Sequence, residues 1–223
     1  MFFDKYKISI YTILFLIFIY IIELLTYVLF NISLPFSHLN TSNASLFSII
    51  LPAFLHANEF HLLRNVLTFA ICMPIIEREI GSKKTLYLFI ISSIGGLFIY
   101  FIYGFLLGLE TYARGSSGAS MFFVGIILVN LSYLKFDSEI KSFTSIFLVL
   151  FTYEYLKIIL QTNIFSQGYT VLVAHMGGFT IGYITYILYR DYEMTKYKNI
   201  LNVKSNKYKP YRIINKIIYI RNK

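Results

Sequence analysis

The sequence has one cysteine, no tryptophan and few charges of either sign. The single Cys72 excludes an internal disulfide and any multi-thiolate metal centre. Charged residues make up only 14% of the chain and hydrophobic ones 57%, which excludes an ordinary soluble domain. A processed leader is not expected. The first apolar run follows Lys5 and Lys7 as in a signal peptide, but residues 8–30 contain no A-x-A-like cleavage site and read as a retained span. No internal repeat and no recognised nucleic-acid module accompany the net charge of +9, so that charge needs another explanation.

What the chain does have is apolar blocks. Six stand out, at residues 8–30, 60–76, 86–107, 116–134, 143–160 and 171–189. Continuous runs of this length read as membrane-spanning helices, because in lipid the backbone must satisfy its own hydrogen bonds. The predicted fold is therefore an all-α polytopic membrane protein with six transmembrane helices. Basic residues fall mainly on one side. Lys5 and Lys7 precede the first run. Arg78, Lys83 and Lys84 lie between the second and third, and Lys135 and Lys141 between the fourth and fifth. Ten more follow Tyr189, whereas the opposite connections carry only Arg114. The positive-inside rule then puts both termini in the cytoplasm. The division expected is a membrane domain over 1–189 and a basic cytoplasmic tail over 190–223. The tail's end, PYRIINKIIYIRNK, has the pattern of a short interfacial helix on an anionic inner leaflet.

Within this topology three runs bring chemistry-bearing residues to one side. The fourth opens with ARGSSGAS and so with Ser116 and Ser117; the sixth opens near His175; the second carries His61 and Asn65. Each has a bland reading. A membrane serine often bonds its own backbone, glycines spaced like Gly178 and Gly182 pack helices closely, and a lone histidine can be an interhelical contact. Together they read as nucleophilic catalysis. A serine hydroxyl needs a base, and a histidine can be one near neutral pH. Glycines around the serine permit close backbone approach. His61 and Asn65 are one turn apart on a helix and both can donate to an oxyanion, as can a first-turn amide at Ser117.

These residues resemble the rhomboid family of intramembrane serine proteases. The G-x-S-G pattern stands as Gly115-Ser116-Ser117-Gly118, and H-x-x-G-x-x-x-G as His175, Gly178 and Gly182. The second-run pattern stands as His56, His61 and Asn65, and an acidic-glycine end as Glu77 and Gly81. The matches run in order from His56 to Gly182. The resemblance implies a minimal six-helix form with a cavity open to the outside and no cofactor. It implies a Ser117/His175 dyad, with Ser117 N–H, His61 and Asn65 as the oxyanion hole. The glycines Gly115, Gly118, Gly178 and Gly182 and His56 are implied as supporting residues.

Two departures from the family pattern are visible. A Trp-Arg pair in the first loop is absent, and Met121 takes the place of a tyrosine four residues after the serine. A thioether also contacts ring edges, so Met121 is expected beside the base. In the fifth run, Glu154 and Lys157 have the spacing of a helix-face pair. The expected partners are transmembrane protein substrates and the bilayer, with no nucleic acid; the sequence does not indicate an oligomeric state. The expected location is a prokaryotic plasma membrane with the site facing the extracytoplasmic side. Two alternatives stand: a catalytically inactive relative that binds transmembrane segments, and a small transporter using the same polar cavity.

Overall fold

A computed structural model describes residues 6–31, 39–40, 49–108, 112–130 and 172–188. Its elements are α1 (Lys7–Phe30), β1 (Leu39–Asn40), a 3-10 turn (Leu51–Phe54), α2 (Glu59–Ile80), α3 (Ser82–Leu106), β2 (Tyr112–Ala113), α4 (Ser117–Asn130) and α5 (Leu172–Leu188). Among the described residues the fold is all-helical apart from the two-residue antiparallel pair, in which Leu39 faces Ala113 and Asn40 faces Tyr112. Three of the helices, α1, α2 and α3, are long and apolar enough to cross a membrane.

Burial follows from the position of each helix. In α4 every residue from Gly118 to Ile127 is buried except Met121, which is half-buried. A helix apolar on all sides belongs at the centre. Around it, α2 presents Leu62, Asn65, Phe69, Cys72, Met73 and Ile76, spaced three and four apart to form one stripe. Phe69 sits edge-on to Phe89 of α3 at 5.3 Å and to Phe123 of α4 at 6.1 Å, a favourable geometry for aromatic pairs. By contrast α1 buries only Ser9, Thr12 and Leu16, and its remaining apolar surface is suited to lipid.

The ends of α2 and α3 differ from the sequence expectation. The second run was expected to end at residue 76 and the third to begin at 86. Instead α2 continues to Ile80, α3 begins at Ser82, and Gly81 alone joins them at φ 85°. Arg78, Lys83 and Lys84 are thus in terminal helical turns, not in a loop. The cause is Glu77. Its carboxylate accepts from Ile8 N (3.1 Å), Ser9 N (2.9 Å), Ser9 Oγ (2.6 Å) and Ser82 Oγ (2.7 Å). The N-cap residue of α1, Tyr6, makes no side-chain cap bond; Glu77 satisfies first-turn amides of α1 from a different helix. A charged side chain so engaged stays inside the helix rather than ending it. The expected fifth run with Glu154 and Lys157, the tail over 190–223 and most of the first loop lie outside the described residues.

Candidate active site

The chain approaches α4 through a constrained segment. Gly115 has φ 125°, a conformation that side chains rarely adopt. A Cβ there would come within 2.5 Å of the His61 ring. The Gly115 amide donates to Pro52 O at 2.8 Å. This turn sets Ser116 and Ser117 facing different histidines.

The Ser117 hydroxyl lies 2.7 Å from His175 Nε2. The two helices that carry them meet at backbone level, since a Cβ on Gly178 would be 2.5 Å from the Gly118 Cα. Gly96 of α3 closes the junction; a Cβ there would reach within 2.6 Å of Ala174 O, next to His175. Farther along, Gly182 lies against the Phe122 ring, which a Cβ would strike at 2.4 Å. The four glycines expected to support the site therefore divide: Gly115 shapes the turn, Gly118 and Gly178 set the serine-to-histidine approach, and Gly182 accommodates a core ring. Met121 is one turn below Ser117 and half-buried.

Ser116 belongs to a second network. Its Oγ is 3.3 Å from His56 Nε2, and the same nitrogen is 2.9 Å from Asn65 Nδ2. On the other side of the amide, the Ser120 hydroxyl donates to Asn65 Oδ1 at 2.8 Å. With its oxygen occupied, Asn65 donates through Nδ2, so His56 Nε2 accepts and its proton sits on Nδ1. The second N–H of Asn65 is left for another partner. His56 is fully buried. Burial first, then the nearby His61 and Arg114, hold its pKa down at about 3, so it is a neutral acceptor. The His61 ring stands edge-on to it with centroids 5.2 Å apart. His61 N caps back onto Asn58 Oδ1 at 2.9 Å, which fixes the start of α2.

The structure therefore brings Ser117 to His175, and His56 to His61 and Asn65. Sequence reasoning missed Ser120, whose only signal was its place on the same face of α4 as the glycine-serine turn. It also missed Gly96, one of many small residues in an apolar run.

Residues 43–192 match the family model described as Rhomboid domain, two thirds of the chain. The chain belongs to the rhomboid family. No curated protein and no solved structure gives a match. As a member of this family of intramembrane proteases, with helices of spanning length and composition, this rhomboid is an integral membrane protein.

Proposed function

We propose that this rhomboid is an intramembrane serine endopeptidase that cleaves transmembrane or juxtamembrane segments of membrane proteins. The observation that carries the reading is the 2.7 Å separation of Ser117 Oγ and His175 Nε2, within the range for proton transfer from nucleophile to base. Ser117 Oγ attacks the scissile carbonyl carbon while His175 Nε2 takes the hydroxyl proton. The oxyanion accepts from the Ser117 amide, from His61 and from the spare N–H of Asn65. His175 then returns its proton to the leaving amine as the C–N bond breaks. Water, with its proton taken by His175, hydrolyses the acyl-enzyme. The reaction needs no cofactor. Small or helix-breaking residues are the expected substrate preference, because a helical peptide bond must be unwound first.

The topology that fits is six spans with both termini in the cytoplasm of a prokaryote and the site opening to the extracytoplasmic side. The basic tail then faces the anionic inner leaflet. The bland alternative is a relative that binds transmembrane segments without cutting them.

Intact mass after fluorophosphonate treatment of the reconstituted protein separates the two. The expected result is one adduct on Ser117, absent from Ser117→Ala and His175→Ala. A folded wild-type protein with no adduct would favour the non-cutting relative, and an adduct persisting in Ser117→Ala would sink the nucleophile assignment.

A further inference from the structure

The nucleophile is delivered by a segment, residues 112–116, that has no regular structure beyond two β2 residues. Among the described residues its backbone anchors are the β1 pairing, the Gly115 bond to Pro52 and Ser116 O, which accepts from Ser120 N at 3.2 Å. The segment also contains Arg114, whose guanidinium reaches in two directions. Nη1 pairs with Glu23 Oε1 of α1, and Nη2 donates to Ala57 O at 3.1 Å, in the turn before α2. Both side chains of the ion pair are only 14% exposed. One side chain thus ties α1, the entry to α2 and the entry to α4.

The position of Glu23 makes the pair unusual. It lies seven residues before the end of α1 at Phe30, about 10 Å along the helix axis, inside a run of apolar residues. A carboxylate there is costly and is retained where it has a partner and a task. One turn before it, on the same face, Tyr20 OH donates to Glu59 Oε2 in the first turn of α2 at 3.5 Å. This face of α1 is turned toward the entry to the site, whereas most of α1 is not.

We infer that the Arg114–Glu23 pair is a clamp that holds residues 112–117 in register with His175, which makes Arg114 and Glu23 positioning residues for Ser117. The bland reading is that each charge is present only to neutralise the other. The two separate cleanly in a double variant. Replacing both with glutamine leaves no unpaired charge, so simple neutralisation predicts an unchanged segment, whereas a clamp predicts a loosened one.

The test is backbone amide exchange on the full chain in bilayers, for Glu23→Gln, Arg114→Gln, the double variant and Arg114→Lys. The clamp predicts that amides 112–118 exchange about tenfold faster or more in the double variant, with α3 unchanged. Arg114→Lys should be intermediate, because it keeps the charge but cannot reach two partners. Wild-type exchange over 112–118 in the double variant overturns the clamp, as does a rise spread evenly over α2 and α3. The consequence for Ser117 rests on the proposed protease reading and is measured separately. Fluorophosphonate labelling of the double variant should slow about tenfold, a barrier change of about 1.4 kcal/mol. Faster exchange with unchanged labelling would remove the positioning role. If wild type does not label, the protease reading fails while the exchange result still decides the clamp.

Discussion

Ser120 holds Asn65 by its oxygen. The 2.8 Å hydrogen bond comes from one turn below the nucleophile and fixes which way the Asn65 amide points. We expect Ser120→Ala to let that amide rotate, lowering kcat on a reconstituted transmembrane substrate about tenfold with KM little changed. Ser120→Thr, which keeps the hydroxyl, should recover most of the loss. An unchanged kcat in Ser120→Ala would mean that Asn65 does not act through its orientation.

The Gly118–Gly178 contact is between backbones, so nothing nearby can rotate away. Gly178→Ala is expected to force α4 and α5 apart, at a cost of about 1–3 kcal/mol in stability. His175 is three residues from Gly178 and Ser117 adjoins Gly118, so the dyad should widen with the helices. Labelling of Ser117 by a fluorophosphonate, normalised to folded protein, should fall about a hundredfold. A near wild-type rate would show that the dyad distance is set elsewhere.

Glu77 predicts the opposite division between stability and activity. It gathers four donors from α1 and α3 far from the dyad. In Glu77→Gln one oxygen becomes an N–H₂ facing groups that also donate. The expected loss is about 3 kcal/mol, read as a lowered unfolding midpoint in detergent. Activity per folded molecule should stay within about threefold, less than 1 kcal/mol in the barrier. A selective loss of activity at full stability would contradict this assignment.

His56 links stability to pH. Its folded pKa of about 3 is below the ordinary histidine value of 6.5. The unfolded chain therefore binds a proton there that the folded chain refuses. The stabilisation is fully present above about pH 6.5 and is lost as pH falls from there toward 3, with a limiting slope of about 1.4 kcal/mol per pH unit for one such group. Unfolding of wild type and His56→Gln, followed between pH 7 and 4, should differ by that one-proton slope. Parallel curves would place the proton elsewhere.

The sequence indicated which polar residues lie close together, Ser117 and His175 among them, better than it indicated where the helices end. Hydropathy located the middle of each described span, because apolar runs directly reflect lipid or core contact. It misjudged the α2–α3 junction, because the charged residues Arg78, Lys83 and Lys84 read as a connection. They are helical through the Glu77 carboxylate, which bonds residues 68 and 69 positions away, and such a partner leaves no local signal. Ser117 and His175 were legible by their glycine context. The division of Ser116 to His56 and Ser117 to His175 was not, since it follows from the φ of Gly115 and from how two helices dock. The Arg114–Glu23 pair spans 91 residues and was equally hidden.

The single carboxylate of Glu77 also has a mechanical meaning. It ties the start of α1, the end of α2 and the start of α3 at one point, at the opposite end of α2 from His61 and Asn65. With three helix ends tied there, relative motion of these helices is an angular splay about that point, not a sliding. The arm is long: from Glu77 back to the start of α2 at Glu59 is about 27 Å, so a tilt of about 10° moves that end by about 5 Å. A small rotation at the tied end is thus geared into a movement of about half a helix diameter at the end where the serine and histidines lie.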